Sequence, residues 1–156
     1  MTVHVNVNGL DNIKRAMKNK YVAYVGILGS KATEEHENSD YTNAQIGAVH
    51  EFGSISNNIP ARSFIRMPLE AEMGKWIAKE GKRYFNDAVN GNLQHFFTRV
   101  GLKAEEIIQD AFVTRGFGQW AENKPATIAR KGSSMPLIDT GALRASISSE
   151  VVNENS

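Results

Sequence analysis

Val3, Val5 and Val7 alternate with His4, Asn6 and Asn8, a period of two that predicts a half-buried strand, broken at Asn8-Gly9. Leu10, Ile13 and Met17 then recur at helical spacing and predict a short helix to Asn19. Residues 21–28 are β-branched and aromatic between polar flanks, which predicts a central strand. The stretch 29–41 is polar and without period, and reads as a mobile loop. Thr42 and Gln45 have capping-box spacing ahead of Ile46 and Val49, and Gly53 stops that helix. A loop over 53–66 follows.

Pro68 suits the first turn of a helix, where its missing N–H costs nothing. Leu69, Met73, Trp76, Ile77, Tyr84, Phe85 and Ala88 form its apolar stripe, and Asn90-Gly91 ends it. The strongest amphipathic pattern runs from Asn92 to about residue 113, on Leu93, Phe96, Phe97, Val100, Ala104, Ile107, Ile108 and Ala111. Residues 116–141 show little period beyond one turn of helix at 125–131, and read as an extended arm. Asp139 or Thr140 caps a short helix through Leu143, and alternation from Ala145 to Val151 predicts a last strand. Together these patterns predict one α+β domain over 1–156: a small mixed or antiparallel sheet packed by two long amphipathic helices, with the arm before the final strand.

Composition narrows the function. Of 156 residues, 41% are hydrophobic, enough for one core. The 18 basic and 17 acidic side chains leave no strongly basic third, so no broad electrostatic footprint for nucleic acid. Cysteine is absent, which excludes disulfides, thiol catalysis and Cys-ligated zinc. No signal peptide or membrane span is expected, since no basic start precedes an apolar run and no apolar run nears about 18 residues.

Candidate chemistry is sparse. His50-Glu51 suggests a metal-hydrolase pair, but a zincin needs a second His where Ser54 stands, and adjacent helical residues point apart. The simpler reading is a helix-terminal His favoured by the dipole. His36 and His95 can join it only through folding. The run from Gly26 to Thr33, GILGSKAT, fails as a phosphate loop, because Ser30 separates Gly29 from Lys31 and Ala32 replaces the hydroxyl residue. Ser30, Ser54 and Ser63 lack a nucleophile elbow. Asp139 reads as a helix cap. Glu34-Glu35 and Glu105-Glu106 read as solvated surface.

What remains is basic and aromatic. Arg62, Phe64 and Arg66 alternate, and Trp120, Lys124, Arg130 and Lys131 are spread along the arm. Such residues anchor protein interfaces or stack on single-stranded nucleic acid, and the near-neutral charge favours protein. Phe64 and Trp120 read equally well as core residues.

AVHEFG followed by IPARSFIR, over 48–66, resembles the "hEFG…IPARPFhR" signature of phage neck and tail-completion proteins. Residues 120–147, from Trp120 through NKPATIARKG and PLIDTGALRASI, resemble a "W…PSTIARKG…PLIDTG.L..SI" segment of tailed-phage virion morphogenesis proteins, the Mu type among them. VGILGSKA fits the same group. Together these segments cover nearly half the chain. Their order is the reverse of that in Mu-type proteins, and Ser63 stands where the signature often has proline, so neck ring, tail completion and tail terminator all stay open.

The resemblance implies a non-enzymatic virion protein without cofactor or metal, forming a ring at the head-tail junction that is often six-fold in such proteins. It implies assembly in the host bacterial cytoplasm. Implied partners are further copies of the chain, portal or adaptor, and tail-tube or terminator proteins, with DNA passing through the lumen and no membrane. The arm is then expected to dock on a neighbour. The candidate contact residues are Phe52, Pro60, Arg62, Phe64, Arg66, Trp120, Lys124, Ile128, Arg130, Lys131 and Leu137. A transient assembly factor is the close alternative. A small metal-dependent hydrolase on His50, Glu51 and Asp139, or a nucleic-acid-binding module, is the remote one.

Overall fold

The computed structural model describes residues 20–155 together with Asp11, Lys14 and Lys18. The strand expected over residues 3–7, and most of the helix expected to Asn19, lie outside them. Within them the chain is α+β, with two strands, two long helices and four shorter ones.

Strand β1 (Tyr21–Ile27) pairs antiparallel with β2 (Ile147–Asn153), from Tyr21 opposite Asn153 to Ile27 opposite Ile147. Successive strand side chains take opposite faces. Ala23, Val25 and Ile27 turn inward with Ile147 and Ser149, while Tyr24 and Val152 are exposed on the other face.

Two long helices pack together: α3 (Arg66–Val89) and α4 (Leu93–Val113). Of these two, α4 makes the main contact with the sheet among the described residues, touching both strands. A Cβ on Gly101 of α4 would sit 2.8 Å from Ser149 Oγ and 3.0 Å from Ser149 Cβ. The missing side chain is what lets helix and sheet approach. The Ser149 hydroxyl donates to Glu105 Oε1 at 2.5 Å and pins the same contact.

The polar stretch 29–41 is more ordered in its bonding than its composition suggests. It contains a one-turn helix, α1 (Ser30–Thr33), and a bridge between Glu35 and Thr42. Helix α2 (Asn43–Phe52) opens on the expected capping box: Gln45 N donates to Thr42 Oγ1, and Thr42 N donates to Gln45 Oε1. It ends at Gly53, whose φ of 77° favours glycine.

Segment 116–141 holds one short helix, α5 (Pro125–Lys131), and leads through α6 (Ala142–Ala145) into β2. The expectation that its apolar residues dock on a neighbour is corrected here. Trp120 and Leu137 belong to this chain's own core, with Phe64, Ile108, Ala111, Phe112, Leu143 and Ile147. The Trp120 ring meets Phe112 edge-on at 5.8 Å, and Phe112 meets Phe64 at 5.4 Å. Burying an indole on its own fold satisfies the same apolar demand as docking it elsewhere, with no association entropy to offset.

Candidate functional site: a cleft between helix α2 and segment 116–141

Glu51 organises the entrance to α3. That helix begins without a side-chain cap of its own. The first turn of a helix leaves backbone N–H groups unpaired, with partial positive charge. The Glu51 carboxylate, 7% exposed, meets them from α2. Phe64 N and Ile65 N donate to its Oε2 at 2.8 and 3.0 Å. Arg66 N and the Ser63 hydroxyl donate to Oε1 at 3.1 and 2.6 Å. Ser63 Oγ also accepts from Met67 N at 2.9 Å. With all four contacts serving fold, Glu51 is a structural anion.

Arg62 fastens the next stretch. Its backbone N–H donates to His50 O at 2.7 Å. Its guanidinium, in a residue 6% exposed, donates from Nε to Ala121 O at 2.7 Å and from Nη2 to Glu122 O at 3.0 Å and Asn123 Oδ1 at 3.4 Å. Trp120 Nε1 donates back to Ser63 O at 3.0 Å. The segments 60–66 and 120–123, far apart in sequence, form one joint.

Beside this joint lies a cleft of about 610 Å³. Its walls come from α2, the turn before Pro60, α5 and the approach to α6. His36, His50, Arg62, Lys124, Arg130 and Lys131 line it, with Glu37, Glu122 and Asp139 among them. Ile46, Ile59, Pro60, Leu137 and Leu143 supply its apolar surface. Asn123 holds the wall by donating to Met135 O at 3.1 Å, and Lys131 Nζ donates to the same carbonyl at 3.0 Å.

The electrostatics of the cleft are legible in its bases. Burial first, then the charges of Arg62, His36 and Lys131, lower the His50 pKa from 6.5 to about 4. Its Nδ1 is buried without a hydrogen-bond partner. Against the reading of a His favoured by its helix dipole, burial first, and then Arg62, His36 and Lys131, disfavour the charged form of His50. Burial also pulls Arg62 down; it lowers Lys131 most, Asp139 opposes it next, and Arg62 and Arg130 add smaller lowering effects.

The predicted contact residues divide. Pro60, Arg62, Lys124, Arg130, Lys131 and Leu137 converge on the cleft. Phe64 and Trp120 are interior. Arg62 and Leu137 are mostly buried too, but unlike Phe64 and Trp120 they reach the cleft wall. Phe52 is 74% exposed, Arg66 pairs with Glu70 at 3.2 Å on the surface of α3, and Ile128 is half-buried.

Of the two expected caps, Asp139 or Thr140, it is Thr140 Oγ1 that accepts from Ala142 N at 3.3 Å, while Asp139 stands at the cleft. Sequence reasoning also missed the role of Glu51. The signal was its place in the last turn of α2, where an anion opposes its own helix dipole and so must serve another element.

Two exposed apolar features lie outside the cleft. Ile55 is fully exposed in the turn bridged by Ser54 and Ile59, next to Phe52. Ile77 and Phe85, two turns apart on α3, are 53% and 58% exposed. Among the described residues no three of His, Asp and Glu are grouped to hold a metal ion, and no helix is long and apolar enough to cross a membrane. Compared with protein-family models, with curated proteins and with solved structures, the chain matches none.

Proposed function

We propose that this chain is a non-enzymatic structural protein of a tailed-phage virion, acting in a ring at the head-tail junction. The observation that carries the reading is the pair of sequence segments, 48–66 and 120–147, that resemble phage neck and virion morphogenesis proteins. Their contacts support it: Arg62 binds the backbone at Ala121 and Glu122, and Trp120 binds Ser63, so each segment needs the other. Such dependence gives a physical reason for both to occur on one chain.

The exposed Phe52, Ile55, Ile77 and Phe85 supply apolar surface for subunit and partner contacts. Partners on this reading are further copies of the chain, portal or adaptor on one side, and tail-tube or terminator proteins on the other. DNA passes the ring without being read. A metal-hydrolase role for His50-Glu51 has little support, because the Glu51 carboxylate is engaged by Ser63, Phe64, Ile65 and Arg66.

The test is quantitative mass spectrometry of purified particles. A few copies per particle, far below capsid and tube proteins, is the expected result. Absence from intact particles overturns the permanent-component reading and leaves a transient assembly factor, detectable only in incomplete particles.

A further inference from the structure

The cleft holds more positive charge than the fold neutralises. Among the described residues no carboxylate lies within ion-pairing distance of Arg62, Lys124, Arg130 or Lys131; the ion pairs present are Arg66–Glu70, Lys75–Glu72 and Lys103–Glu106. Arg62 is buried, yet its counterparts are carbonyl oxygens and one amide, and its Nη1 donates to no acceptor among the described residues. That nitrogen is not sealed in the interior, so an anion in the cleft can reach it. Arg62 and Lys131 add to burial, the larger cause, in disfavouring the charged form of His50.

The lining also tells which anion fits. Glu37, Glu122 and Asp139 stand among the cations and would repel a ligand charged at every unit. Ile59, Pro60 and Leu137 offer apolar contact between the charges. A phosphodiester backbone satisfies neither condition, whereas a peptide with isolated carboxylates between apolar side chains satisfies both. The volume lies within the usual range of ligand pockets.

We infer that the cleft is a docking site for a short acidic segment of a partner protein, its carboxylate set against Arg62, Arg130 and Lys131 and its apolar side chains on Ile59, Pro60 and Leu137. The inference rests on the reading of this chain as an assembly protein and names the chemistry of one of its partners.

The experiment is a titration of the ¹⁵N-labelled full chain with a blocked peptide of alternating isoleucine and aspartate, followed by NMR. Saturable shifts are expected at His50, Arg62, Arg130 and Lys131. Arg130→Glu, at an exposed position, weakens binding by about ten-fold, as loss of a charge contact at a partly desolvated site should. Asp139→Asn tightens it, a change of opposite sign that a purely structural role does not produce. Lys75→Glu, on the exposed face of α3 outside the cleft, leaves it unchanged.

The inference is overturned by an absence of saturable shifts, or by equal binding of the asparagine peptide. Indifference to Arg130→Glu would also sink it. Tighter binding of an oligothymidylate of equal charge would reassign the cleft to nucleic acid. Failure of the titration with a few copies still found per particle removes only the cleft assignment. Binding with absence from particles removes the virion reading and keeps the cleft.

Discussion

Glu51 and His50 are neighbours in sequence with opposite fates. Glu51 keeps its charge useful by spending it on the first turn of α3. Glu51→Ala leaves three buried or half-buried backbone N–H groups without their acceptor, and costs about 3 kcal/mol. Glu51→Gln is also destabilising, since the amide NH₂ must face at least one backbone N–H. Urea unfolding of the variants checks this, and a loss well under 1 kcal/mol for Glu51→Ala contradicts it.

His50 is held neutral instead. Its folded pKa of about 4 lies below the ordinary 6.5. The unfolded chain therefore takes up a proton near pH 6.5 that the folded chain refuses until about pH 4. Stability from this residue is intact above pH 6.5 and falls as pH drops through that window. The slope is at most about 1.4 kcal/mol per pH unit. His50→Gln flattens this part of the pH profile, which unfolding series at pH 7.0, 6.0 and 5.0 resolve. Equal slopes in both proteins contradict the assignment.

At the scale of elements, the contact of α4 with the sheet turns on Gly101. Alanine has the better helix propensity by about 1 kcal/mol, so an exposed site would gain from Gly101→Ala. Here the new methyl meets the Ser149 side chain at 2.8–3.0 Å, and the β-carbon of a strand residue cannot rotate away. Overpacking costs about 1–3 kcal/mol, so net destabilisation is expected. A thermal melt at or above wild type refutes it. Strand β2 and helices α3 and α4 were legible in the sequence because period reports directly which face is buried, and β1 because a β-branched and aromatic run stands between polar flanks. The same logic failed over 116–141. Trp120, Leu137 and Ile138 have no shared period, so nothing in their spacing says whether they cover this chain or another. The cleft was legible only in part. Lys124, Arg130 and Lys131 cluster in sequence, but His50, Arg62 and Asp139 reach them through tertiary folding alone.

For the whole molecule, on the proposed assembly reading, the packing of segment 116–141 on its own core changes where subunit contacts are sought. A ring needs surface that the monomer leaves open, and its symmetry follows from that surface. The turn after α2 offers it. Backbone bonds of 2.9 Å run both ways between Ser54 and Ile59, and hold Ile55 outward, three residues after the exposed Phe52. The double variant Phe52→Asp, Ile55→Asp places two charges where apolar contact is expected. It should dissociate any oligomer in mass photometry, while monomer stability stays within about 0.5 kcal/mol, as for surface changes generally. Constant stability is what gives the result its meaning: lost assembly then reports an interface and not a damaged fold. Intact assembly would move the contact to Ile77 and Phe85 on α3, the other exposed apolar pair, where the same substitution is the decisive repeat. Indifference at both sites would leave the proposed ring with no apolar contact from either exposed pair. The chain would then have to associate through the charged cleft, and its assembly should weaken steeply with salt.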